Sequence, residues 1–244
     1  MTSSQILLVI LLGLTAALGN VLGGFFVVRR EWSQLYLRYF VALGAGFMLG
    51  IVFLDIIPES LKFLAPDAAL LWVLSGYFLV HLFEHTLVRH FHFGEEVHGH
   101  ELAHHAGSSA LLGLMIHTFF DGVAIASGFL VSTWLGWVIT LAIFLHKLPE
   151  GFAVSSLMLA TGRSRRTSLW AAVALGGVTV LGIVLMVVLR TQVGRALPLS
   201  GGVTLYVAAS DLIPEVNREP RMSMAALVFL GLALVFLIHH FGNF

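Results

Sequence analysis

The chain has 244 residues, 58% of them hydrophobic and 11% charged, with a formal net charge of zero and no cysteine. Together with a mean hydropathy of +0.95, this excludes an ordinary soluble domain and leaves a polytopic membrane protein. The missing cysteines exclude disulfides, thiolate zinc sites and thiol nucleophiles at once, and the neutral balance offers nucleic acid no footing.

A membrane crossing takes about 20 apolar residues. Eight such stretches follow one another, at about 5–28, 37–62, 68–89, 108–130, 134–160, 168–190, 196–216 and 223–241. The expected fold is an all-α integral membrane protein of eight transmembrane helices, one domain over 1–244. The first stretch is too long for a signal-peptide core and has no basic segment before it, so it reads as a span. An even number of spans puts both termini on one side. The odd connections carry Arg29, Arg30 and Arg38, then Arg89, then Arg163, Arg165 and Arg166, then Arg218 and Arg221; the even ones carry Lys62, Arg190 and Arg195. Basic loops stay in the cytoplasm, which places both termini outside it.

Span 2 ends in Asp55-Ile-Ile-Pro58-Glu59, and span 7 carries Asp211-Leu-Ile-Pro214-Glu215. One motif at related places in spans of opposite polarity predicts an inverted repeat, spans 1–3 against spans 6–8 with spans 4 and 5 paired. Asp55, Glu59, Asp211 and Glu215 would line routes to a central site and concentrate cations there; they read equally as carboxylates at solvated helix ends. Spans 1, 2, 6 and 8 carry Gly19, Gly23, Gly24, Gly44, Gly46, Gly50, Gly176, Gly177, Gly182 and Gly231. Small residues of this kind serve tight packing or sliding between helices.

Span 3 holds His81-Leu-Phe-Glu84-His85, which matches the H-x-x-E-H pattern of inverted zincins. Its place before a His-rich connection suggests an exit path, and a capping or interfacial role fits as well. That connection, 90–107, contains His90, His92, His98, His100, His104 and His105 with Glu95, Glu96 and Glu101. Such a loop, cytoplasmic by the arginine count, reads as a weak metal acceptor or as a plain polar linker. His239 and His240 read as the interfacial end of the last span.

The specific signal is in spans 4 and 5. His117-Thr-Phe-Phe-Asp121-Gly122 and His146-Lys147-Leu-Pro149-Glu150-Gly151 both read H-x-x-x-[D/E]-G. Residues i and i+4 share a helix face, so two imidazoles and two carboxylates converge if the helices are neighbours. Ionisable groups at this depth are costly and mark function. The set of borderline nitrogen and hard oxygen donors suits Zn²⁺ and also accepts Fe²⁺, Mn²⁺, Co²⁺ and Cd²⁺. The charges of Asp121 and Glu150 would cancel one dication. Lys147 lies too far from either span end to reach water, and it reads as a fixed cation that limits the site to one ion.

These motifs, the repeated D-[IL]-I-P-E and the eight-span plan resemble the ZIP (Zrt/Irt-like) family of divalent metal transporters in its bacterial form, over nearly the whole chain. The resemblance implies that His117, Asp121, His146 and Glu150 bind the transported metal, joined by Met48 of the G-x-M-L stretch. It also implies a second metal site in some members. Here Thr118 and Lys147 stand at two of its positions and span 6 has no acid, so that site is expected to be absent. Further implications are a homodimer through spans 2, 3, 7 and 8, and an elevator motion of spans 1, 4, 5 and 6 against them.

The expected function is import of divalent metal, zinc first, across a cell (inner) membrane, with the metal as cargo and no cofactor. The alternatives are an integral-membrane zinc-dependent hydrolase, which needs an open metal position and a general base, and a proton-coupled carrier of an organic solute.

Overall fold

The computed structural model describes residues 3–29, 34–86, 100–218 and 221–242. Its elements are α1 (Ser3–Arg29), α2 (Gln34–Ile51), α3 (Ile57–Ser60), α4 (Pro66–Thr86), α5 (His100–Val131), α6 (Thr133–Ala160), α7 (Arg165–Val188), α8 (Val193–Tyr206), α9 (Ile213–Asn217) and α10 (Met222–Gly242). All are helical, and together they make eight spans long and apolar enough to cross a membrane. Helix α5 starts at His100, so the end of the connection expected as a loop over 90–107 is helical. Ala, Leu and Glu in that stretch are good helix formers, and they extend the span toward the aqueous side.

Both D-[IL]-I-P-E segments interrupt their spans in the same way. A π-helix runs over Val52–Ile56 before α3 and another over Val207–Leu212 before α9. Pro58 and Pro214 have no N–H, so the carbonyls four residues earlier lose a partner. The ladder widens instead, with Ile57 N–H donating to the Val52 carbonyl and Ile213 N–H to the Ala208 carbonyl. By contrast, Pro149 sits inside an unbroken α6.

The repeat extends to the helix contacts. A Cβ on Gly23 would collide with the Leu148 carbonyl, and one on Gly151 with the Asn20 carbonyl. The same reciprocal clasp joins α5 to α7 (Gly122 with Thr179, Gly182 with Phe119), α2 to α10 (Gly46 with Val228, Gly231 with Leu43) and α4 to α8 (Gly76 with Leu199, Gly202 with Val73). In each case the glycine follows the contacting carbonyl residue of its own helix by three positions. Only glycine lets backbones approach this closely. The clasps map α1 onto α7, α5 onto α6, α2 onto α8 and α4 onto α10, which is the inverted repeat read from the sequence.

The clasps thus make four helix pairs, α1–α6, α5–α7, α2–α10 and α4–α8. The first two pairs also pack on each other, and α5 and α6 in turn pack on α8 and α2. Where α2 meets α6 the glycine approach is ordinary: a Cβ on Gly44 would sit 3.5 Å from the His146 Cβ.

Candidate metal centre

Ser132, extended and with its hydroxyl accepting from the Leu135 N–H at 3.1 Å, ends α5 and caps α6 in a single residue. The two helices therefore run antiparallel side by side, and the H-x-x-x-[D/E]-G faces meet. The glycine of each motif seats its helix against another: Gly122 on α7 and Gly151 on α1.

His117, Asp121, His146 and Glu150 are all buried, and each offers a ligand atom within 4.8 Å of the others. His117 Nε2 lies 3.3 Å from Glu150 Oε1 and 3.9 Å from Asp121 Oδ2, and it has no hydrogen-bond partner among the described residues. A buried ring nitrogen without a partner is costly, and this one lies beside two carboxylates, where a cation could join all three. His146 Nε2 is 3.3 Å from Asp121 Oδ2, and its Nδ1 is 3.2 Å from the Ala142 carbonyl. Both partners are acceptors, so Nε2 is free to ligate a metal only when it does not donate to Asp121.

Lys147 is fully buried in the middle of this set. Its Nζ is 2.6 Å from Asp121 Oδ2, 2.6 Å from Glu150 Oε2 and 3.1 Å from Thr118 Oγ1, three acceptors for three N–H groups. The Thr118 hydroxyl in turn donates to Glu150 Oε1. Two carboxylates and one ammonium leave a single negative charge, so a dication would not be cancelled but would leave the centre at +1.

Asn20 of α1 was not singled out in the sequence. It is fully buried, and its amide nitrogen reaches the Lys147 carbonyl at 2.6 Å and Glu150 Oε2 at 3.2 Å. A lone asparagine in a long apolar helix is the signal that could have found it, because a buried amide needs partners.

A cavity of about 20 Å³, the room for one water or ion, adjoins the ligands. Val41, Leu114, His117, His146, Pro149, Glu150, Val207, Asp211 and Leu212 line it. It lies toward the arginine-bearing connections. On the opposite side, toward Ser132, the buried side chains of Ile51, Val52, Ala124, Ala126, Ile139 and Ile143 fill the space.

The other expected site residues are distributed unevenly. Of the four repeat acids, Asp211 lines the cavity. Asp55 is turned to α10, where His239 Nδ1 donates to Oδ1 at 2.9 Å; its Oδ2 has no partner among the described residues. His239 is thus a partner of the motif as well as a helix end. Glu59 takes Lys62 at 2.6 Å. Glu215 is held between Arg38 at 2.9 Å and Arg218 at 3.3 Å. Met48 is fully buried in an apolar cluster with Ala45, Val207 and Leu212, one turn beyond Gly44. On α4, Glu84 accepts from the Tyr206 hydroxyl at 2.7 Å, and the His81 and His85 rings lie 4.1 Å apart. That carboxylate is taken by Tyr206 rather than poised between two histidines. His98, with His90 and His92, lies outside the described residues; His100, His104 and His105 are on the first turns of α5.

A model of the family described as ZIP Zinc transporter matches residues 106–239, which include α6 to α9 and His117, Asp121, His146 and Glu150. The chain is 27% identical over 233 residues to zinc transporter ZIP13 of Pongo abelii, covering 87% of this chain and 69% of that protein. To zinc transporter zipt-7.1 of Caenorhabditis briggsae it is 26% identical over 281 residues, 88% of this chain and 71% of that protein. To ZIP13 of Danio rerio it is 32% identical over 145 residues, 54% of this chain and 41% of that protein. The eight spans, the mirrored π-helical proline segments and the paired histidine–carboxylate motifs carry the same assignment, and the chain belongs to the ZIP zinc transporter family, a family of transporters rather than enzymes.

Proposed function

We propose that this protein carries a divalent metal ion, zinc first, into the cytoplasm, and that His117, His146, Asp121 and Glu150 hold the ion in transit. The observation that carries the reading is the unpartnered, buried Nε2 of His117 facing two carboxylates within a cluster of four ligand-type side chains. The donor set of imidazole and carboxylate suits Zn²⁺ and accepts Fe²⁺, Mn²⁺, Co²⁺ and Cd²⁺. Lacking a thiolate, it favours transit over storage. Lys147 stands in for a second cation, so one ion is carried at a time.

Alternating access by an elevator motion is the mechanism we favour. Taking α1, α5, α6 and α7 as one group and α2, α4, α8 and α10 as the other, every glycine clasp lies inside a group, and the contact between groups at Gly44 is ordinary, as sliding requires. With the arginine-bearing loops in the cytoplasm and both termini outside, the cavity beside Asp211 faces inward and the apolar layer seals the outer route. Asp211 would then take the departing ion toward Glu84, His81 and His85 and the histidines of 90–107. Asp55, Glu59 and Glu215 would join the route only after releasing their present partners. Residence in a cell (inner) membrane, a homodimer through the α2, α4, α8 and α10 group and a bacterial-type identity complete the reading. Met48, buried one turn from the contact with His146, is the support for that last point.

The test is zinc flux into proteoliposomes, comparing the wild type with the double change His146→Ala and Glu150→Ala. Saturable influx lost in the variant supports the reading. Absence of flux in a wild type that still binds zinc would overturn it.

A further inference from the structure

The ligands of the metal centre come from α5 and α6, yet α1 contributes to it too. Asn20 packs its backbone carbonyl on Gly151, the residue after Glu150, so its side chain is delivered to the centre by the α1–α6 clasp. Both atoms within reach of its amide nitrogen, the Lys147 carbonyl oxygen at 2.6 Å and Glu150 Oε2 at 3.2 Å, are acceptors. That fixes which way the amide points and uses both of its N–H groups. Glu150 Oε2 therefore accepts from two donors, Asn20 and the Lys147 ammonium. The other oxygen, Oε1, takes the Thr118 hydroxyl and faces His117 Nε2 at 3.3 Å. At the repeat-related place on α7 stands Thr179, whose hydroxyl turns back to the Leu175 carbonyl of its own helix at 3.3 Å. The amide thus serves the half of the repeat that also carries Lys147.

We infer that Asn20 is a positioning residue of the metal centre: with Lys147 it pins Glu150 Oε2, so that Oε1 alone is offered to a divalent cation. The inference rests on the reading of the four residues as the cargo site. A carboxylate held by one oxygen binds a metal through the other. Freed from one of its two pins, it can turn and offer both, which changes the number and geometry of oxygen donors. Groups that orient a ligand in this way typically govern metal affinity by a factor on the order of ten or more.

The experiment is titration of the purified full chain with Co²⁺, following its visible absorption, whose intensity reports coordination number. Asn20→Ala and Asn20→Leu remove both donors, the first leaving a void and the second filling it; Thr179→Val is the control in the other half. Both Asn20 variants are expected to bind Co²⁺ on the order of tenfold more weakly with an altered absorption band, and Thr179→Val to keep the wild-type spectrum. Wild-type affinity and spectrum in Asn20→Leu would overturn the inference while leaving the metal centre intact. Failure of both Asn20 variants to fold would overturn it by assigning the residue to helix packing alone. A wild type that binds neither Co²⁺ nor Zn²⁺ would instead remove the cargo site, and the inference with it.

Discussion

At the scale of single residues, the centre is a negotiation between one ammonium and two carboxylates. Removing either acid leaves Lys147 short of a partner and the cargo short of a ligand, so Asp121→Ala and Glu150→Ala are both expected to reduce zinc uptake to background in proteoliposomes. Removing the lysine acts in the opposite sense on the metal. Lys147→Ala strips a positive charge from beside the ion, and bound zinc is expected to tighten on the order of tenfold or more, read by competition with a chelator. The metal-free variant leaves two buried carboxylates without their cation, a loss of about 3–5 kcal/mol, and its thermal midpoint is expected to fall and to recover on adding zinc. Protons compete as well. Imidazole and carboxylate ligands bind metal only when unprotonated, so uptake is expected to decline as pH falls through the range of a free histidine, about 6.5. Flux unchanged down to about pH 5 would speak against histidine ligation.

At the scale of elements, glycines decide which helices pack backbone to backbone. Gly151 of α6 has the Asn20 carbonyl where a Cβ would go, whereas Gly177 of α7 has open space. Gly151→Ala must push α1 away from α6, and overpacking of this kind costs about 1–3 kcal/mol. Gly177→Ala is expected to leave the thermal midpoint unchanged, which makes it the internal control. The sequence displayed Gly177 in a small-residue stripe and Gly151 as the last residue of its histidine–carboxylate motif. It could not separate them, because the difference lies in a carbonyl on another helix. The π-helical turns were half legible for a similar reason. Pro58 and Pro214 announced an interruption, but the direction in which each wider turn aims its aspartate depends on the neighbour available. Asp55 found His239, and Asp211 found the cavity.

At the scale of the whole molecule, eight spans and their inverted repeat were written in the hydropathy and in one five-residue motif, since a bilayer admits few ways to satisfy a helical backbone. The four-residue histidine and carboxylate cluster was equally plain, because i and i+4 share a helix face. Asn20 and the Arg38–Glu215–Arg218 clamp were not, as both depend on helices far apart in the chain. The proposed division into two groups carries its own test. The chain has no cysteine, so pairs can be introduced cleanly. Phe120 on α5 packs in one cluster with Val203 on α8, across the groups. A short thiol-to-thiol linker between Phe120→Cys and Val203→Cys is expected to stop zinc flux, and flux is expected to return when the linker is cleaved.

The lysine at the centre also bears on the return journey. A carrier that delivers its ion must bring an empty site back through the same low-dielectric surroundings, and the cost of holding charge there grows with the square of that charge. Without Lys147 the site would be neutral when loaded and doubly negative when empty, easy in one direction and prohibitive in the other. With it the two states are +1 and −1, opposite in sign and equal in burden. In the alternating-access reading proposed above, the tethered ammonium evens the burden of the loaded and the empty passage. A Lys147→Ala carrier would trade one metal ion for another across the membrane while moving little in a single direction.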